Sequence, residues 1–265
     1  MRHGRGFTLI ELLVVIAIIG ILAALLLPSL SRAKNSAYIT TDLNNSRQLM
    51  MAMHMYTGDE NDFLPRPGWK VPYSNWAYGD TFPYSTGDYN AVIAGQLDAV
   101  TKGQLYRYFG VAKTLKCPAD RESDPFFMQR EMYISSYIWN GALSSYDTAS
   151  IKSHKLSQFR PTSILQWESD EMNPSSFNDS ANLPYEGFTR RHGGRRTENP
   201  NDDLRARVNI ALFDGSSTLI SLGQLAALAG QLGPYTGGPP KALPTMLPND
   251  LWCNPDIATG MITSF

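Results

Sequence analysis

The longest apolar run of the chain lies at its start, and its pattern predicts one long helix. A short basic leader, residues 1–6, precedes residues 7–30, whose only charged member is Glu11. At 1.5 Å per residue, residues 7–30 form a helix of about 36 Å, enough to cross a bilayer core of about 30 Å. This segment therefore predicts a membrane-spanning helix.

The apolar period continues beyond the membrane-length segment, through residues 31–58. Positions at spacings of three and four form one stripe of an amphipathic helix: Ile39, Leu43, Ser46, Met50 and Met53. We expect Pro28 to kink the helix without ending it, because the helical pattern resumes at once. Gly58 and Asp59 are typical of a helix end.

The rest of the chain predicts a small sheet with long connections. Strand patterns cover residues 133–139 and 163–167, and residues 207–213 and 217–221 form a hairpin around Asp214-Gly215. A short helix is predicted within 222–232, whereas residues 65–100 show no sustained period and read as a loop. The fold class is therefore α+β: a long helix packed on a small antiparallel sheet in a globular domain, 59–232. The Gly/Pro-rich tail, 233–265, either wraps this domain or hangs free.

Composition narrows the classes of partner. The 265 residues carry a formal net charge of −1, so the chain has no overall field that selects nucleic acid, and no nucleic-acid partner is expected. The chain has two cysteines, Cys117 and Cys253. In an exported domain they can form a disulfide; two free thiols are the equal alternative.

The sequence contains no recognisable catalytic motif, so we predict that the protein is not an enzyme. It lacks HExxH, GxSxG, CxxC and a Gly-rich phosphate loop. Acidic clusters such as residues 59–62 match no dedicated calcium loop, which needs six to eight oxygen ligands. We therefore predict no cofactor and no metal site, with calcium as a weaker alternative.

A carboxylate inside a membrane helix is costly and usually functional. The basic leader, Gly6, Phe7, Glu11 and the apolar run resemble the signal of type IV pilins and type II secretion pseudopilins. The resemblance implies that a prepilin peptidase cuts after Gly6 and methylates Phe7. It also implies that Glu11 pairs with the Phe7 amine of a neighbouring subunit. An ordinary secretory signal cleaved near residues 31–33 and a plain membrane anchor are the alternatives.

Later segments resemble a pseudopilin-like family frequent in planctomycete and verrucomicrobial bacteria, and they follow the family's order. They are residues 45–65, 103–109, 115–120, 136–141, 156–165, and a signature of His192 with Asp214 and Gly215. The family places its His and Asp-Gly closer together than here, where residues 193–213 intervene. This departure predicts a surface insertion around residues 195–205.

The resemblance implies a structural filament subunit, whose partners are prepilin peptidase, other pilin or pseudopilin subunits and the inner membrane. It implies a single membrane pass with the C-terminal domain periplasmic or extracellular, and a filament after assembly. Two other classes stay open: a cell-surface adhesin or glycan-binding protein that uses a pilin-type export signal, and a secreted enzyme.

Overall fold

The computed structural model describes residues 8–69, 73–84, 87–144, 153–194, 204–231, 242 and 246–261. The leader, Gly6, Phe7 and most of the predicted insertion (195–203) lie outside the described residues. The chain divides into two compact units, Met1–Thr40 and Thr41–Phe265.

A single helix, α1, spans Leu9–Asp59 and continues through Pro28, which confirms the predicted long helix. It begins as an apolar segment and becomes one-sided in the second unit, as the sequence pattern predicts. Beyond Asp59 the chain turns through Asn61 and Asp62, both with positive φ (53° and 75°), a backbone conformation that these two residue types tolerate.

Within the described part of the second unit, five strands form one sheet. The strands are β1 (Tyr137–Asn140), β2 (Ile164–Glu168), β3 (Ala181–Asn182), β4 (Arg207–Leu212) and β5 (Ser217–Ser221). The other helices are α2 (Tyr89–Thr101), α3 (Tyr106–Phe109) and α4 (Leu222–Ala229), with short 3-10 turns between elements. The spatial order is β3-β1-β2-β4-β5.

The sheet is antiparallel, as predicted, apart from one parallel pair. The pairs β1–β2, β2–β4 and β4–β5 are antiparallel, but β3 pairs with β1 in parallel. Only two residues of β3 take part, Ala181 opposite Trp139 and Asn182 opposite Asn140. Two residues are too few to show a strand period in the sequence. The pairing of β3 depends instead on tertiary contacts.

The predicted hairpin is confirmed. Arg207 pairs with Ser221 and Ala211 with Ser217 across the β4–β5 register. The Asp214 carboxylate accepts a hydrogen bond from Ser216 N–H at 2.8 Å, and Gly215 has a φ of 89°, which suits glycine. By contrast, the strand predicted from Tyr133 begins only at Tyr137, because residues just before it bond to loops; Ser136 N–H, for instance, donates to Leu115 C=O.

Helix α2 lies inside the segment that we expected to be a loop, so that prediction was wrong. The Asp88 side chain caps its first turn by accepting from Ala91 N–H at 3.2 Å. Val92, Gln96, Ala99 and Val100 form its buried face. The helical spacing of these buried residues is hard to see in the sequence, because Gly95 interrupts it and aromatic, glycine and proline residues surround it.

From Thr41 onward α1 packs on the sheet through a buried stripe. The stripe comprises Asp42, Ser46, Leu49, Met50, Ala52, Met53 and Thr57. It agrees with the predicted stripe from Ser46 onward, but Asp42 rather than Leu43 faces inward at its start. Gln166 and Asn209 donate to Ser46 Oγ at 3.0 and 2.8 Å, which joins the helix to β2 and β4.

Aromatic residues and the tail complete the core. The Trp76 ring stacks on Trp139 of β1 at 5.0 Å between centroids. In the described part of the tail, Leu251 and Trp252 are fully buried, and Asp250 C=O accepts from Ile164 N–H. The tail therefore wraps the domain over residues 246–261, the first of the two alternatives.

The cysteines do not form a disulfide. Cys117 and Cys253 are both free thiols. Of the two alternatives, the disulfide is therefore wrong, and the pair of free thiols is the one observed. They contact different groups: Cys117 lies 3.7 Å from His192, whereas Cys253 Sγ faces Leu251 C=O at 3.9 Å.

Two adjacent methionines of α1 test its packing on the sheet. Met50 is fully buried and Met51 is 63% exposed. We expect Met50→Ala to lower the free energy of unfolding by about 2–5 kcal/mol, because it leaves a cavity. Met51→Ala should change it by less than about 0.5 kcal/mol. Urea unfolding of the full chain in detergent, followed by tryptophan fluorescence, measures both; equal losses would contradict the packing described.

Candidate functional site

The start of α1 places Glu11 in a capping box. Its Oε2 accepts from Thr8 N–H and Thr8 Oγ, both at 2.8 Å, while Glu11 N–H donates to Thr8 Oγ at 3.2 Å. Thr8-x-x-Glu11 is the sequence signature of this motif, which satisfies backbone N–H groups at a helix start. Glu11 thus has a local role in addition to the one implied by the resemblance.

The helix that follows exposes its apolar side chains on all sides. The large apolar side chains from Leu9 to Leu30 are between 46% and 78% exposed. Among the described residues, one helix, α1, is both long enough and apolar enough to cross a membrane. Exposed apolar surface on this scale marks contact with lipid or with other proteins.

The signature residue His192 lies in the second unit, inside a buried polar cluster. Its Nε2 is 2.9 Å from Glu168 Oε2, 3.4 Å from Asp42 Oδ2 and 3.7 Å from Cys117 Sγ. These four side chains come from α1, the loop before β1, the end of β2 and the segment before β4. We call them the His192 cluster.

Neighbouring polar groups orient the two carboxylates. Tyr137 OH donates to Asp42 Oδ1 and Asn209 Nδ2 donates to Asp42 Oδ2, both at 2.6 Å. The backbone N–H of Asn209 donates to Glu168 Oε2 at 3.2 Å. Residues of β1 and β4 thus fix the Asp42 carboxylate, and β4 also fixes the Glu168 carboxylate.

Arg191 extends the cluster into an ion-pair network. Its guanidinium lies within 3.4–3.7 Å of Asp120, Glu168 and Glu171, and Arg130 pairs with Asp120 at 3.0 Å. The side chains of these five residues have no exposed surface or almost none. Burial works against the ionised carboxyl of Asp120, but Arg191 and Arg130 outweigh it and lower its pKa to about 2.

The cluster has the wrong geometry for a nucleophilic centre. Burial and the Glu168 and Asp42 carboxylates raise the pKa of the Cys117 thiol well above its usual value, so the metal-free thiol stays protonated. A catalytic Cys–His pair uses one ring nitrogen for the thiol and the other for an orienting group. Here the thiol and both carboxylates face the same nitrogen.

Without a metal, His192 is held as an imidazolium. Burial lowers its pKa, but the Glu168 and Asp42 carboxylates outweigh burial and raise the value to about 10. The single N–H at Nε2 points into a group of acceptors, of which Glu168 is the nearest.

The other signature residues lie at a different place. Asp214 and Gly215 form the β4–β5 turn, and the nearest side chain to a Cβ at Gly215 is His54 of α1. The structure therefore does not bring Asp214-Gly215 to His192. It does bring together the resemblance segments 115–120, 136–141 and 191–192, since Ser136 Oγ donates to Asp120 at 2.7 Å and accepts from Cys117 N–H at 3.0 Å.

Comparison with known proteins identifies the N-terminal segment. Residues 1–27 match the prokaryotic N-terminal methylation motif. By this segment the chain is pilin-like. It is 47% identical over 66 residues to the type IV wide pilus major component PilA4 of Thermus thermophilus, covering 24% of this chain and 48% of that protein. It is 40% identical over 58 residues to the type II secretion system core protein G of Pseudomonas aeruginosa, covering 22% and 41%.

The chain thus spans less than half the length of these curated relatives. No solved structure matches it. The long helix on a small sheet is consistent with a pilin-like fold.

Sequence reasoning missed two members of the cluster in this pilin-like chain. Asp42 lies four residues before Ser46 and seven before Leu49, which places it on the buried stripe of the helix. A charged residue on the buried stripe of a helix is unusual, and this is the sequence signal that could have identified Asp42. Glu168 ends a strand whose five residues are all buried, and no period distinguishes it.

Arg191 offers a test of the ion-pair network. Arg191→Met would leave Asp120, Glu168 and Glu171 short of their shared cation, and we expect a loss of about 3–5 kcal/mol in the free energy of unfolding. Lys102→Met removes an exposed pair with Asp98 and should have no measurable effect. Urea unfolding compares the two variants, and an Arg191→Met midpoint equal to that of wild type would contradict this account.

Proposed function

We propose that the protein is a structural, pseudopilin-like subunit of a type II secretion or type IV pilus-like filament. The observation that carries the proposal is the methylation motif over residues 1–27, which leads into a helix with exposed apolar side chains on every side. The two pilus and secretion relatives support the same class. In this function the chain acts by assembly and not by catalysis.

The apolar segment explains two successive environments. Before assembly, residues 7–30 span the inner membrane, where lipid covers the exposed leucine, isoleucine and valine side chains. In a filament, the same surfaces pack against the helices of neighbouring subunits. The Arg2 and Arg5 leader stays cytoplasmic by the positive-inside rule, which places the domain from Thr41 onward on the periplasmic or extracellular side.

Processing creates the charge that Glu11 requires. Cleavage after Gly6 frees the amine of Phe7, the site of methylation. A carboxylate and an amine that pair between neighbouring subunits avoid being isolated in an apolar environment, and the pairing defines the axial register. Among the described contacts, the capping box uses only Oε2 of Glu11, so Oε1 remains to face the amine of a neighbour.

The leader contains two glycines, which allow a matched test of processing. Gly6→Asp should leave uncleaved precursor in cells that contain a prepilin peptidase, because it alters the residue at the cut. Gly4→Asp introduces the same charge two residues away and should still be processed. Intact mass and N-terminal sequencing give the result: wild type starts at Phe7. A start at Lys34 would indicate a secretory signal instead.

The capping box makes it possible to separate the charge of Glu11 from its local role. Glu11→Gln preserves the cap, since Gln serves at this position of the motif, but removes the negative charge. We expect cleavage to persist and filament yield to fall to background. Thr8→Ala loses the cap side chain but keeps the charge, and should assemble. Sheared filaments are quantified by immunoblot; a wild-type yield from Glu11→Gln would refute the pairing.

A further inference from the structure

We propose that the His192 cluster is a buried zinc site, with Asp42, Cys117, Glu168 and His192 as its four ligands. One ligand atom from each residue lies within 4.8 Å of the other three, and all four side chains are buried. Four protein ligands without an open position are the mark of a structural zinc site.

The distances from His192 Nε2 to the other three ligand atoms are close to the spacing of ligands around one ion. Around a tetrahedral zinc ion, a nitrogen lies about 3.3 Å from each oxygen ligand and about 3.5 Å from a sulfur ligand. The observed distances from His192 Nε2 are 2.9 Å to Glu168, 3.4 Å to Asp42 and 3.7 Å to Cys117. Small side-chain shifts suffice to centre an ion among them.

The single N–H of Nε2 does not by itself account for this convergence. That N–H can point well at only one acceptor, and Glu168 Oε2 is the nearest. Asp42 Oδ2 and Cys117 Sγ nevertheless face the same nitrogen, although each also accepts from another group. An ion in place of the proton on Nε2 would bind all four atoms at once, because neutral imidazole, carboxylates and thiolate then all act as electron-pair donors.

The surroundings have the features of an outer shell. Tyr137 OH and Asn209 Nδ2 hold the Asp42 carboxylate, and Ala119 N–H donates to Cys117 Sγ at 3.4 Å. Such contacts orient ligands and stabilise a bound thiolate. A surface groove of about 430 Å³, lined in part by Asn45, Lys116 and Cys117, lies beside the cluster.

The donor set selects the metal. Calcium takes oxygen ligands almost exclusively, so a thiol and an imidazole exclude the calcium alternative at this place. Sulfur, nitrogen and carboxylate oxygen together suit zinc. The ion would join α1, through Asp42, to the sheet, through Glu168, and to two loops, which is a cross-link that the unpaired cysteines do not supply.

The two cysteines provide a matched test. The full chain, purified in detergent without a metal-affinity column, should contain about one zinc per chain by plasma mass spectrometry. Cys253→Ser should keep that content, because Cys253 lies outside the cluster. Cys117→Ser, a near-isosteric change, should lower it by at least about tenfold. Near-ultraviolet circular dichroism confirms that both variants are folded.

Cobalt substitution supplies a second measurement that does not depend on the Cys117→Ser variant folding. Wild type and Cys253→Ser loaded with cobalt should show a thiolate-to-cobalt charge-transfer band in the near ultraviolet. A folded wild-type chain that neither contains zinc nor takes up zinc or cobalt would overturn the proposal. So would a folded Cys117→Ser chain that holds as much zinc as Cys253→Ser.

Discussion

The burial of the Asp42 carboxylate is the constraint on which the second unit depends. Asp42 lies on the inward stripe of α1, where a charged side chain is costly unless it is paired and hydrogen-bonded. Its partners come from three places: Tyr137 of β1, Asn209 of β4 and His192 of the segment before β4. These contacts can be made together in only one position of the helix. The apolar residues Leu49 and Met50 would tolerate a small slide, whereas Asp42 would lose its partners.

The same constraint explains why the buried charged residues cluster where α1 meets the sheet. A buried ion pair contributes little net stability over a well-packed apolar pair, but removing one partner is expensive. The network from Arg130 through Asp120 to Arg191 and Glu168 therefore acts as a condition on assembly of the fold: every member must arrive for the others to be satisfied. The segments that resemble the pseudopilin-like family, 115–120, 136–141 and 191–192, meet at this network. All three segments lie where α1 packs on the sheet, and they do not form an exposed surface.

The parts of the fold that the sequence predicts are those with a strong local signal. A membrane-length apolar run and a stripe at spacings of three and four predict α1, and alternation around Asp214-Gly215 predicts the β4–β5 hairpin. The errors have local causes too. Gly95 weakens the pattern of α2, and β3 is a two-residue strand that exists only through its parallel partner. The His192 cluster combines residues 42, 117, 168 and 192, and no periodicity relates positions so far apart. His192 is visible through a resemblance, but its partners are visible only in the fold.

The two units surround a carboxylate in opposite ways: Asp42 is buried, whereas Glu11 is exposed on its helix. Asp42 finds its partners within its own chain, so the second unit satisfies its charge as it folds. Glu11 finds only the cap of its own helix, through Thr8, in a segment whose neighbours are apolar and exposed. In the filament proposed above, the Phe7 amine of a neighbouring subunit would supply the cation that pairs with this carboxylate. The proposed function requires this difference: one part that holds its own shape, and one part whose charge is balanced between copies.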